Sequence, residues 1–125
     1  MGRYNKNIGD FGEDFAADYL CQNGYSILER NYQTKSGEID IIARNDKAVV
    51  FVEVKTRSSE KYGRPIEAVD HRKRKHLADV AGEYYSKNLF EDEIRFDVIE
   101  VFAKRLSDGE VIMQRLNHIE GIIID

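Results

Sequence analysis

The segment SGEIDIIARNDKAVVFVEVKTRSS, residues 36–59, constrains this chain more than any other. It alternates apolar and polar residues as two strands of a hairpin do. Yet it sets Glu38, Asp40, Glu53 and Lys55 among the Ile and Val that should form a core. Side chains alternate faces along a strand, so Glu53 and Lys55 share one face, as do Glu38 and Asp40. If the connecting loop has an even number of residues, paired residue numbers sum to an odd value. Asp40 then falls on the face of Glu53. Three carboxylates on one face of a hairpin repel one another, and burying them unpaired is costly. Two readings follow: the polar side faces water and carries only surface charge, or a cation gathers the carboxylates.

The rest of the chain supplies the frame. Residues 9–23, GDFGEDFAADYLCQN, place Phe11, Phe15, Tyr19 and Leu20 near helical spacing with Ala16 beside them, and Gly24 reads as the stop. YSILERNYQ reads as a strand, followed by the strands GEIDIIAR and KAVVFVEVK with a turn at Asn45 and Asp46. SSEKYGRP reads as a loop, and Pro65 opens a helix over 66–88. Its apolar stripe is Ile66, Val69, Leu77, Val80, Ala81 and Tyr84, with a polar gap at 70–76. EIRFDVIEVFAK gives a fourth strand, SDG a turn, and EVIMQRL a fifth strand. The order αβββαβ(β) describes a single α/β domain over 1–125, a mixed sheet flanked by helices.

Composition narrows the function classes. With 42% hydrophobic and 34% charged residues the chain supports a real core. The one cysteine, Cys21, rules out an internal disulfide and reads as a small core residue, in keeping with a cytoplasmic protein. The segment MGRYNKNIGD has no apolar core of a secretory signal, and no apolar run is long enough to span a bilayer. No membrane association is expected.

The net charge of −4 argues against non-specific coating of nucleic acid. However, residues 54–76 hold Lys55, Arg57, Lys61, Arg64, Arg72, Lys73, Arg74 and Lys75 against Glu60, Glu67 and Asp70. This basic run directly follows the carboxylates. Within HRKRKH, residues 71–76, Lys73 and Lys75 either lie on a solvated helix face or grip phosphates. Arg57 and Arg64, in the loop leaving the Glu-x-Lys strand, are placed to touch DNA.

Hard oxygen donors without a Cys or His set point to Mg²⁺ or Mn²⁺ as the gathering cation. Asp40 followed by Glu53-x-Lys55 on adjacent strands suits metal-assisted attack on a phosphodiester, with the amine orienting or helping to deprotonate a water. His71, His76 and His118 match no zinc-ligand spacing. Glu13 is either an ordinary first-turn helix acid or a further acid of the site. Asp97 has no assigned chemistry beyond pairing with Arg95 or a neighbouring helix.

The motifs GEIDIIA, FVEVKTR and YGRPIEAV, with GEDFAADYL before them and RFDVIEV after, resemble the YraN-like family of small bacterial proteins. That family is similar to the PD-(D/E)xK nuclease superfamily and, within it, to the archaeal Holliday-junction resolvases. The resemblance runs from about Gly9 to Phe102. It implies a restriction-endonuclease-like fold with an αβββαβ core. It also implies that Asp40, Glu53, the Val54 carbonyl and Glu13 hold metal and that Lys55 completes the catalytic set. The superfamily's leading Pro is here Ile39.

These readings converge on a Mg²⁺-dependent endonuclease acting on DNA, branched or structured DNA in particular, with a homodimer as an expectation of the resemblance. The alternative is a nucleic-acid-binding module of the same fold with little or no turnover. A structural adaptor using an exposed sheet edge is a third reading, and the basic run counts against it.

Overall fold

A computed structural model describes residues 8–57 and 71–124. The elements are α1 (Ile8–Gln22), β1 (Ser26–Thr34), β2 (Gly37–Arg44), β3 (Ala48–Arg57), α2 (His71–Asn88), β4 (Glu93–Arg105) and β5 (Val111–Ile119). The order αβββαββ is the one that the sequence pattern gave. The strands form one mixed sheet in the order β1-β2-β3-β4-β5. Only β3 and β4 run parallel, since the crossover between them carries α2. The expected helix start at 66, the loop bearing Arg64 and the stripe residues Ile66 and Val69 lie outside the described residues.

The period-2 pattern sorts the sheet into two faces. Ala48, Val50, Val52 and Val54 of β3 face α1, where Ala16, Ala17 and Leu20 cover them together with Ile99 and Val101 of β4. Val49 and Phe51 face the other way, against Leu77, Val80, Ala81 and Tyr84 of α2. Each fully buried Val, Leu or Ile contributes roughly 1.5–3 kcal/mol, so the two apolar layers hold the five strands in register. Residues 53, 55 and 57 continue the α2-side face beyond the apolar part of β3.

The turn between β2 and β3 is closed by Asn45, whose Oδ1 accepts from the amides of Lys47 (2.9 Å) and Ala48 (2.8 Å). Pairing of β2 with β3 runs from Arg44↔Val49 to Ile41↔Val52, numbers that sum to an odd value throughout. Beyond Ile41 the ladder ends. Ile39 and Ile42 both pack on the α2 side, so the strict alternation of β2 breaks between them. This local twist lies at Asp40.

On the α1 face, Asp97 is fully buried and accepts from Arg95 Nε (2.9 Å), Arg95 Nη2 (2.8 Å) and the Gly121 amide (3.0 Å). His118 Nε2 lies 2.7 Å from the same carboxylate, and His118 Nδ1 lies 2.9 Å from the Tyr19 hydroxyl. This network ties α1, β4, β5 and the segment after β5 together. Hydrogen bonds from His118, Arg95 and Gly121 overcome the cost of burial and hold the Asp97 carboxyl below its ordinary range.

Two expectations need correction. Cys21 is exposed rather than part of the core. Residues 16, 17 and 20 fix the inward face of α1, and at 100° per residue Cys21 is turned away from its centre. Arg57 is the last residue of β3 and not part of a loop, because the parallel ladder with β4 continues to Arg57↔Phe102.

Candidate functional site

Where β2 leaves β3, the Val54 amide loses its strand partner. The Asp40 side chain replaces it, with Oδ2 accepting from Val54 N at 2.8 Å. The short Asp side chain thus caps the open end of the ladder and is held over β3 beside Glu53. Glu53 is buried, with 4% of its surface exposed. Its Oε2 takes two ammonium groups, Lys55 Nζ at 3.2 Å from the same strand and Lys73 Nζ at 2.5 Å from the first turns of α2. Asp40, Glu53 and Lys73 line a cavity of about 210 Å³ together with Gly37, Glu38, His76 and Leu77.

Burial pushes the Asp40 carboxyl up, the Glu53 charge adds to this, and together they outweigh the Val54 hydrogen bond, leaving Asp40 at about 7. Glu13 contributes to the same rise. Burial opposes charge on Lys73, but its hydrogen bond and ion pair with Glu53 prevail and hold it above its ordinary value.

The structure therefore brings Asp40, Glu53 and Lys55 together on one face, and adds Lys73 to them. Lys73 is only 39% exposed in its side chain, whereas Lys75 is 67% exposed and paired with Asp79 on the outer face of α2. The two lysines that the sequence grouped together thus occupy different environments.

Glu13 stands in a neighbouring cleft of about 330 Å³ with Asp10, Asp14, Arg30 and Asn31. Arg30 Nη2 lies 3.9 Å from Glu13 and 2.9 Å from Asp14. Burial raises Glu13, Arg30 opposes it, and Asp10 adds to the rise. Asn31 adopts φ 52°, a left-handed backbone that Asn tolerates, and its side chain bonds Glu13. Nothing in the sequence pattern marked Arg30 or Asn31 as partners of Glu13. Gly12 sets the approach of α1: a Cβ there would collide with the Thr56 hydroxyl at the end of β3.

Glu38 is exposed at the rim, accepting from Gln33 Nε2 at 3.1 Å. Arg57 is paired with Glu100 rather than extended into solvent, with Nε 3.1 Å from Glu100 Oε2. Arg64 lies outside the described residues. Among the described residues no three His, Cys, Asp or Glu side chains converge as a metal centre. A cation at this site would have two carboxylates, Asp40 and Glu53, with backbone and water completing its shell. That donor set fits Mg²⁺, which commonly takes one or two carboxylates and keeps several waters.

The chain belongs to the uncharacterised protein family UPF0102, whose model matches residues 12–101, in agreement with the YraN-like resemblance of its motifs. It is 49% identical to a UPF0102 protein of Clostridioides difficile (strain 630) over 116 residues, covering 92% of this chain and 95% of that protein. It is 44% identical to a UPF0102 protein of Caldicellulosiruptor bescii over 117 residues, covering 92% and 95%. Among solved structures, Pyrococcus furiosus SfsA in complex with Ca²⁺ matches 85% of this chain with a TM-score of 0.39 and 15% identity, and the chain spans 60% of that structure's length. Among the described residues no helix is long and apolar enough to cross a membrane.

Proposed function

We propose that this member of the UPF0102 family is a Mg²⁺- or Mn²⁺-dependent endonuclease that hydrolyses DNA phosphodiesters, with branched or structured DNA as the preferred substrate. The observation that carries this reading is the convergence of Asp40 and Glu53 at the splayed end of the β2–β3 hairpin, with the Lys55 ammonium 3.2 Å from Glu53. The Asp40 and Glu53 carboxylates and the Val54 carbonyl would hold the cation, with Glu13 assisting from the adjoining cleft. When bound, the cation would supply Lewis-acid activation of the phosphate and of an attacking water. Lys55 positions that water and offsets charge on the phosphate. Lys73 provides a second ammonium at the same carboxylate and lines the cavity beside Asp40. Lys75, on the outer face of α2, adds long-range attraction for the backbone.

A second reading is a nucleic-acid-binding module with little or no turnover. It is favoured by the two ammonium groups already on Glu53 Oε2, which offset part of the negative charge a metal needs. Cleavage of supercoiled plasmid, flap and four-way-junction DNA with Mg²⁺ or Mn²⁺ separates the two. The enzyme reading requires cutting by wild type that disappears in both Asp40→Asn and Lys55→Ala. DNA binding without cutting of any substrate by the folded wild type selects the binding module.

A further inference from the structure

Beyond Glu53 and Lys55, the α2-side face of the sheet carries charged residues that the proposed chemistry does not use. Strand register puts Lys55 beside Glu100 of β4, and Glu100 opposite Asn117 of β5. The next row toward the end of β3 holds Arg57, Phe102 and Arg115. Arg57 lies four residues from Glu53, which at about 3.3 Å per residue is roughly 13 Å along the strand.

Glu100 is fully buried on a face whose neighbours, Val98 and Phe102, are apolar. A buried ion pair adds little net stability over apolar residues of similar size, so packing alone gives no reason for a carboxylate at this position. What Glu100 does is hold an arginine. Its Oε2 accepts from Arg57 Nε at 3.1 Å, while its Oε1 lies 3.5 Å from Asn117 Nδ2. Gripping a guanidinium by Nε leaves its two terminal nitrogens as a fork, the geometry that matches a phosphate. In the same row the Arg115 guanidinium lies over the Phe102 ring, 4.0 Å from its centroid. Two arginines thus stand in one row beyond the candidate site, one gripped by a carboxylate and one lying over an aromatic face.

We infer that Arg57 and Arg115 form a subsite for backbone phosphates of a nucleic-acid strand, and that Glu100 and Phe102 are its positioning residues. This rests on the nucleic-acid reading above and deepens it by giving the strand a path from Lys55 across β4 to β5. The subsite reads the backbone and not the bases.

Charge and position predict opposite signs for one variant. Glu100→Gln removes a negative charge beside the arginines, so charge alone would tighten DNA binding. Loss of the grip on Arg57 would weaken it. The test is binding of a fluorescently labelled four-way-junction DNA in EDTA, so that no cleavage intervenes, across a salt series. The inference expects Glu100→Gln to raise Kd about tenfold. It expects Arg57→Ala and Arg115→Ala each to flatten the slope of log K against log salt by about 0.9. If Glu100→Gln proves unfolded by its circular-dichroism melt, Arg57→Lys decides, since it keeps the charge but lacks the fork. Its Kd should rise with the slope unchanged, and wild-type affinity in that variant overturns the inference. Binding by Glu100→Gln as tight as or tighter than wild type makes Glu100 a charge partner only, and the nucleic-acid reading survives. A wild type that binds no DNA at low salt defeats both.

Discussion

Asp40→Asn should stabilise the protein at alkaline pH, although the same change is expected to abolish activity. In the fold Asp40 keeps its proton up to about pH 7, because burial and the Glu53 charge disfavour the carboxylate; unfolded, it loses the proton near 3.8. Between those values folding takes up a proton, so rising pH opposes folding. The cost is absent below about 3.8, grows through the window, and is fully present above about 7. Holding a carboxyl at about 7 instead of 3.8 corresponds to at most about 4 kcal/mol. Asp40 is only partly buried, so solvent screening reduces the observable effect to about 2 kcal/mol. Asn is isosteric, keeps an acceptor for Val54 N, and offers Glu53 a donor. Urea unfolding of both proteins at about pH 4 and about pH 8 measures the effect: near-equal stability at the lower pH and Asn ahead by about 2 kcal/mol at the higher. A mutant that is less stable at the higher pH, or a difference independent of pH, would refute the argument that Asp40 is a strained carboxylate.

Two further outcomes follow from the packing. Gly12→Ala forces a Cβ into the Thr56 side chain and should cost about 1–3 kcal/mol, with Thr56→Ala in the same protein recovering part of the loss on thermal unfolding. Lys73→Met leaves the buried Glu53 with Lys55 alone and should destabilise by about 1–2 kcal/mol, while Lys75→Ala, on the exposed face, should stay within about 0.5 kcal/mol in the same denaturation assay.

The parts of this structure that were legible in the sequence are those governed by local periodicity. The bounds of β2 come straight from Gly37, the Ile-rich alternation and the Asn45 turn. Parity with an even hairpin loop pointed Asp40 to the face of Glu53, but the ladder stops at Ile41↔Val52 and the alternation of β2 breaks at Asp40, so its place beside Glu53 rests on the hydrogen bond from the Val54 amide. The inward stripe Leu77, Val80, Ala81 and Tyr84 of α2 was readable from helical spacing. What was not legible depends on how distant segments meet. Helical spacing can place Lys73 on a face of α2, but not against Glu53, because the position of α2 over the sheet is set by packing. The Arg57–Glu100 pair needs the parallel β3–β4 register, which no turn specifies and which joins residues 43 apart in sequence. The Asp97, His118 and Tyr19 network spans three elements, so RFDVIEV alone pointed only to Arg95 or a neighbouring helix.

The charges of this sheet are not equally provided for. Glu53 has two ammonium groups, Glu100 a guanidinium, and Asp97 a bidentate arginine together with His118. Asp40, set at the break in β2, has a backbone amide and, among the described residues, no ion-pair partner. A fold that neutralises its other buried carboxylates and leaves this one pushed up to about 7 has concentrated its electrostatic cost at one point. Local rules are broken where function requires it, and the compensation is sought elsewhere. Asp40 lines a cavity with Glu53 and Lys73, and it feels the Lys73 charge without a direct ion pair. Under the proposed function, the group that would relieve this cost is a cation that accepts hard oxygen ligands and tolerates two lysines close by. A small divalent ion shared with a substrate phosphate meets all three conditions, because the phosphate brings the negative charge that Lys55 and Lys73 would balance.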